Sequence, residues 1–253
     1  MSYATYEKLR SMRLGAMADA YKHQLSDPEM GNLSFEERMA LLVDIEWTNR
    51  KNNRLKRLIA NAAFDQPQAH LGDIDFSPRR ELNREQLVML GSCSYIADAR
   101  NIVIMGAAGS GKSFIGCALG MEACKQSYSV RFIRMPALIE ELKLAAATGT
   151  LKKAYKDYTK VNLLILDDWM LVKLTQEESR YVYELVHRRH KTASTIFCSQ
   201  FSPVGWHQRI AEDTLADAIL DRIVYDSYII EIKSQEDMPS MREKYGLQIK
   251  TKN

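Results

Sequence analysis

The sequence predicts an α/β fold: a five-stranded parallel sheet between helices, preceded by a small all-helical N-terminal domain. Three observations carry that expectation. Apolar residues in the first ~65 positions recur at helical spacing. From Ile102 onward, five short apolar, β-branched runs alternate with helical stretches. Those runs are nearly continuous in apolar residues, which suits strands covered on both faces.

Taken in order, Leu9, Met12, Ala16 and Ala20 keep the helical period, with Met17, Tyr21 and Leu25 beside them. Asp27, Pro28, Gly31 and Asn32 mark a turn. Ser34 opens an S-x-x-E capping box in which Glu37 reaches back to the Ser34 amide. A long helix then runs through Leu42, Ile45 and Trp47 to Leu55, Leu58 and Ile59. Residues 65–80 hold two prolines and a glycine without a sustained period, and read as a linker. Asn83 and Gln86 suggest a cap for a short helix that Gly91 ends. Strands are expected at 102–105, 130–133, 161–166, 195–198 and 228–232. Helices are expected after Lys112 and over 136–147, 176–190 and 215–224. The expected organisation is a helical domain over 1–65, a linker with a short helix over 66–91, and the α/β domain over 92–253.

Composition narrows the function classes. The chain has 253 residues, 46% hydrophobic and 26% charged, with a net charge of +3. That suits an ordinary core plus a small extra module. It excludes a histone-like polycation but leaves room for a local basic patch. No stretch approaches the ~20 apolar residues of a membrane span. The N-terminus, MSYATYEKLRSMRL, is charged throughout and has no apolar signal region, so a cytoplasmic protein is expected. Cys93, Cys117, Cys124 and Cys198 form no CxxC pair and read as buried, reduced thiols.

The chemistry-bearing motif is Gly106-Ala107-Ala108-Gly109-Ser110-Gly111-Lys112-Ser113, which fits G-x-x-x-x-G-K-[ST]. Glycines let the loop curl so that its N–H groups face phosphate oxygens. The helix that follows adds its positive N-terminal end. Lys112 reaches the β- and γ-phosphates, and the Ser113 hydroxyl ligates Mg²⁺. The expected strand VNLLILDDW delivers Asp167 and Asp168 at its carboxyl end, where α/β sites form. Asp167 suits the metal, and Asp168 suits orienting or deprotonating an attacking water. The plain alternative for two such aspartates is a helix cap. The strand TIFCSQ ends in Ser199 and Gln200 and should lie between the two motif strands, where its polar end faces the γ-phosphate or the water. Ordinary polar residues at a strand end are the alternative there.

Two basic stretches complete the inventory. TNRKNNRLKR carries five basic residues and no acid, with Lys51, Arg54 and Arg57 three apart and Lys56 beside them. On a helix this makes a strip suited to tracking phosphates. A solvated helix face would look the same. TGTLKKAYKDY brings Lys152, Lys153 and Lys156.

Four segments together resemble a known family: YEKLRSMRLGAMADAY, GAAGSGKS, LLILDDW, and SQFSPVGWHQRIAEDTLADAILDRIVYDSYIIEIKSQEDMPSMR. The chain is similar to the IstB/DnaC-like branch of the AAA+ P-loop ATPases, and most to IstB, the helper ATPases of insertion-sequence transposition. The resemblance implies Mg-dependent ATP hydrolysis, binding to duplex DNA through its phosphates, assembly as a homo-oligomer with ATP and DNA, and a cognate transposase as partner. Arg222 matches an arginine finger that acts in trans, and Arg242 a second sensing arginine. The lysines at 152 and 153 lie in a region that often faces the channel of AAA+ rings. Three departures stand out. Met170 replaces a common glycine, Asp168 stands where many AAA+ proteins carry glutamate, and Gln200 replaces an asparagine. The short tail implies a helical lid that is reduced or absent. The alternatives are a DnaC-type helicase loader, which would prefer single strands, and a small-molecule phosphotransferase, which would need an acceptor pocket.

Overall fold

The computed structural model describes residues 2–225 and 227–233. It divides into two compact units, one ending at Arg57 and the other beginning at Leu58.

In the first unit the opening amphipathic stretch splits into α1 (Ser2–Ser11) and α2 (Gly15–Ser26). The break falls at Arg13, which takes a left-handed φ of 60°. A 3-10 turn, Pro28–Asn32, occupies the expected turn, with the Asp27 carboxylate accepting from the Glu29 amide at 3.0 Å. The capping box forms in both directions. The Ser34 amide donates to Glu37 at 2.8 Å, and the Glu37 amide donates to the Ser34 hydroxyl at 3.2 Å. This starts α3 (Phe35–Ala62), 28 residues long. The buried Glu46 carboxylate of α3 accepts from the Met17 amide at 3.0 Å and from Arg50 Nε at 2.8 Å. Arg50 also donates to the Arg13 carbonyl at 3.0 Å, so the first base of the basic run is engaged within this unit.

The second unit begins with the end of α3. Residues 63–83 carry short 3-10 turns at Leu71–Asp73 and Pro78–Arg80. Next come α4 (Arg84–Gly91), capped by Asn83 accepting from the Gln86 amide at 3.0 Å, and α5 (Ser94–Ala97). The alternating part then runs β1 (Asn101–Gly106), α6 (Lys112–Lys125), β2 (Val130–Arg134), α7 (Met135–Ala147), α8 (Leu151–Thr159), β3 (Leu163–Trp169), α9 (Gln176–Arg189), β4 (Ser194–Ser199), α10 (Pro203–His207), α11 (Asp213–Val224) and β5 (Ser227–Ile232). The five strands are parallel in the order β2-β3-β4-β1-β5. β4 therefore lies between β1 and β3, and the carboxyl ends of all three meet on one side of the sheet.

Local features set the element boundaries, and one strand differs from expectation. The third strand starts at Leu163 and extends to Trp169, carrying both aspartates inside the strand. Its pairing with β4 shifts register between Leu166 and Trp169, where Asp168 has a φ of 52°. The helix after β2 breaks at Gly149 (φ 69°), which separates α7 from α8. A second capping box, Thr175 with Glu178, starts α9. The segment where a helical lid is expected to be reduced or absent, and Arg242 with it, falls after Lys233, outside the described residues.

The core explains why the strands read as continuous apolar runs. Ile102, Ile104, Leu164, Ile165, Leu166 and Ile196 are each at most 1% exposed. Burying each such side chain contributes roughly 1.5–3 kcal/mol. All four cysteines are free and buried. Burial pushes the Cys117 and Cys124 thiols up to about 12. α6 sits unusually deep on the sheet. A Cβ at Gly116 would lie 3.1 Å from Cys198 Sγ, and one at Gly120 would lie 2.6 Å from Phe64 Cε1.

Candidate functional site

The loop between β1 and α6 is shaped by its glycines. Gly109 and Gly111 take φ values of 74° and 95°, a region costly for other residues. A Cβ at Gly106 would lie 2.9 Å from the Ile232 carbonyl and 2.7 Å from Ser110 Oγ, so only hydrogen fits there. The Ser110 hydroxyl is buried and has no hydrogen-bond partner among the described residues. Lys112 opens α6 at 8% exposure, with its ammonium donating to the loop carbonyls of Gly106 at 2.9 Å and Ala107 at 2.7 Å.

Topology brings Asp167 to this loop from β3. The Ser113 hydroxyl donates to Asp167 Oδ2 at 2.8 Å. Asp167 is 7% exposed, and burial raises its carboxyl above the ordinary carboxylate range. The bond from Ser113 and the charge of Lys112 offset part of that rise, while the neighbouring Asp168 adds to it. A hydroxyl and a desolvated carboxylate side by side are hard oxygen donors of the kind Mg²⁺ takes. A cation bound there would also relieve the cost of the buried negative charge.

Asp168 is placed differently from its neighbour. Its Oδ2 accepts from Arg134 Nε at 2.7 Å and lies 2.5 Å from Arg134 Nη2. Arg134 ends β2, directly opposite Asp167 in the strand register. Its left-handed φ puts the Asp168 backbone in a region that Asp tolerates better than most residues. Met170 has the same feature at φ 54°, a conformation that favours glycine. Strain of ~1–2 kcal/mol is set against burial worth roughly 1.5–3 kcal/mol, since Met170 is 0% exposed.

The expectation for Ser199 needs correction. Its hydroxyl is 0% exposed and donates to the Trp169 carbonyl at 2.8 Å. It accepts from the Phe201 amide at 3.1 Å and from Trp206 Nε1 at 2.8 Å. One donor and two lone pairs exhaust a hydroxyl, so Ser199 ties β3, β4 and α10 together instead of facing a phosphate. Gln200, the next residue, is exposed.

Two arginines beside the site were not singled out from sequence. Arg134 could have been suspected from its place at the carboxyl end of a strand. Arg80 carried no signal, because it lies in the irregular linker. It is 3% exposed and donates to the Asp75 carbonyl at 3.0 Å and to the Ser110 carbonyl inside the loop. The Arg80 carbonyl in turn accepts from the Lys233 amide at 3.2 Å. One buried guanidinium thus ties the 75–80 segment to the glycine-rich loop.

The remaining candidates lie elsewhere. Arg222, near the end of α11, donates to the Ala218 carbonyl at 2.7 Å and lies 5.4 Å from the Tyr183 ring centroid. Lys51, Arg54, Lys56 and Arg57 are exposed on α3, with the Lys51 ammonium 5.0 Å from the Trp47 ring centroid. Lys152 and Lys153 are exposed on α8, whose buried face is Tyr155 and Tyr158. Among the described residues no helix is long and apolar enough to cross a membrane.

Comparison with known proteins agrees with this architecture. The family model described as "IstB-like ATP binding protein" matches residues 7–248. The chain is 37% identical over 248 residues to the insertion sequence ATP-binding protein y4uH of Sinorhizobium fredii, covering 98% of this chain and 99% of the relative. It is 36% identical over 200 residues to the IS1162 ATP-binding protein of Pseudomonas fluorescens, covering 79% and 87%. Among solved structures, DnaI aligns with a TM-score of 0.57 at 22% identity, over 70% of this chain and 94% of that one. The DnaC helicase loader aligns with a TM-score of 0.52 at 17% identity, over 65% and 97%. These structural neighbours share the α/β fold. The sequence matches run nearly end to end and take in both units, and by them this chain belongs to the family of IstB-like ATP-binding proteins.

Proposed function

We propose that this chain is a Mg-dependent ATPase that assembles with ATP as a homo-oligomer on duplex DNA, in the cytoplasm, and there recruits and stimulates a cognate transposase. The observation that carries the reading is the Ser113–Asp167 hydrogen bond beside the Lys112 loop, which places two hard oxygen donors next to a phosphate cradle. Ser113 and Asp167 would hold Mg²⁺, which when bound neutralises phosphate charge. The 106–113 loop and the α6 N-terminus bind the phosphates, with Lys112 exchanging its two carbonyl partners for phosphate oxygens. Asp168 takes the proton of the attacking water once Arg134 releases it, and Gln200 helps orient that water. Arg222 reaches the γ-phosphate bound by a neighbouring copy, so turnover needs assembly. Arg242 is assigned the second sensing role from its sequence match alone. The exposed bases of α3, with Lys152 and Lys153, contact DNA phosphates without reading bases. The names of the insertion-sequence relatives support a role in transposition over helicase loading.

The test is sedimentation of the purified protein with duplex or single-stranded DNA, in ATP and then in ADP. Large complexes on duplex DNA with ATP alone are expected. A preference for single strands would favour the loader instead. Asp168→Asn should keep ATP binding and lose hydrolysis; normal turnover would remove Asp168 from its role.

A further inference from the structure

The surroundings of Arg222 show more organisation than an exposed arginine near a helix end requires. Its guanidinium lies over the ring of Tyr183, 5.4 Å from the centroid, and Nη1 is fixed to the Ala218 carbonyl one turn back. Tyr183 is in turn stacked on His187, with centroids 5.8 Å apart and planes 10° from parallel. His190 Nδ1 lies 3.3 Å from the Arg222 carbonyl oxygen. Tyr183, His187 and His190 all project from the last two turns of α9 or its cap, so one helix supports both the side chain and the backbone of Arg222.

We infer that Tyr183 is the positioning residue of Arg222: an aromatic shelf that, together with the Ala218 carbonyl, holds the guanidinium in one place near the end of α11, from which it serves the nucleotide of a neighbouring copy. This rests on Arg222 acting in trans, as proposed above. The chemistry fits. A ring face attracts a guanidinium without supplying a hydrogen-bond acceptor. The donors on the outer edge of the group therefore stay available for phosphate oxygens. A carboxylate in the place of Tyr183 would hold the arginine more tightly but would occupy those donors and cancel its charge. His187 stacks on the same ring with planes 10° from parallel, a contact that favours that ring orientation. Arg222 stands close to the end of α11, and the Ala218 carbonyl holds just one of its guanidinium nitrogens.

The test compares Tyr183→Phe, Tyr183→Leu, Arg222→Ala and the double variant Tyr183→Leu/Arg222→Ala in full-length protein assembled on duplex DNA with ATP. Melting temperature and ATP affinity, read with a fluorescent ATP analogue, verify that each variant folds and binds. Arg222→Ala should lower kcat by roughly 10³-fold or more. Tyr183→Leu should lower kcat about 3- to 10-fold with KM unchanged, the loss expected for a removed cation–π shelf. Tyr183→Phe, which keeps the ring, should restore turnover to within about twofold. The double variant should be no slower than Arg222→Ala, because Tyr183 acts only through that arginine. Wild-type kcat in Tyr183→Leu alongside an inactive Arg222→Ala overturns the inference and leaves the reading of Arg222 intact. Wild-type kcat in Arg222→Ala overturns that reading and the inference with it. A double variant clearly slower than Arg222→Ala, or a Phe variant as slow as Leu, shows that Tyr183 serves packing or hydrogen bonding instead.

Discussion

Arg134 restrains the candidate base, and removing it should speed basal turnover. Two nitrogens of its guanidinium converge on Asp168 Oδ2, at 2.7 and 2.5 Å. Unit charges 4 Å apart near a protein surface attract by about 4 kcal/mol. The Arg134 side chain is 62% exposed against 19% for Asp168, so water screens most of that. Exposed pairs measure about 0.2–1 kcal/mol, and two converging bonds put this one near the upper end, ~1 kcal/mol. A group tied down by ~1 kcal/mol is released in roughly one molecule in six. Arg134→Ala should therefore raise ATP turnover without DNA by up to about fivefold, and Arg134→Lys by less. The assay is steady-state phosphate release at saturating ATP, with and without duplex DNA. The melting temperature should hardly move, as for other exposed substitutions. A fall in kcat at unchanged KM would refute the reasoning. It would mean that Arg134 holds Asp168 in its working position.

Other substitutions probe the remaining parts of the site. Lys112→Ala removes a charge-assisted contact to phosphate and should weaken ATP binding roughly 10- to 100-fold or abolish it, read by titration with a fluorescent ATP analogue. Asp167→Asn should melt higher than the wild type at pH 7 without metal, because the buried carboxylate has a raised pKa and its ionised form costs stability. The native state holds that proton more tightly, so wild-type stability falls as pH climbs through the raised value. The advantage of Asn should shrink toward zero below pH ~4; a constant margin across pH would contradict the burial argument. The same variant should lose any Mg²⁺ effect on ATP affinity. Neutralising Lys51, Arg54 and Arg57 together should weaken DNA binding alike on all sequences and reduce the salt slope by up to about 3; a loss confined to one sequence would point to base readout. Arg80→Met leaves the Ser110 and Asp75 carbonyls without their donor, and should cost roughly 2–4 kcal/mol of stability in a denaturant melt.

Local signals carried most of what was readable in advance. The run from β1 through the glycine loop into α6 is one continuous segment, and so is the end of β3 with its paired aspartates. Parallel strands with two-sided cover leave an apolar signature that survives without knowing the partners. What stayed hidden depends on contacts distant in sequence. Ser199 looked available because nothing nearby in the chain reveals that Trp206 and the Trp169 carbonyl use its hydroxyl. Arg134 and Asp168 are 34 positions apart, and Arg80 and Ser110 are 30 apart. Neither pair leaves a periodic or compositional trace. The break at Arg13 was equally silent, since a left-handed arginine is not a residue that announces a turn.

Gly116 and Gly120 give the seating of α6 a longer reach than their size suggests. Eight residues of helix, about 12 Å, separate Gly120 from Lys112. A methyl group at Gly120 would press on the Phe64 ring and the Ile165 side chain, and either those groups or the helix must shift. A shift of the helix would be carried along a rigid rod to the glycine-rich loop at its other end. Two residues outside the glycine-rich loop thus bear on where that loop sits. Under selection they should drift as slowly as the residues of the loop itself, and a survey of variants would misread them as chemical when their role is mechanical.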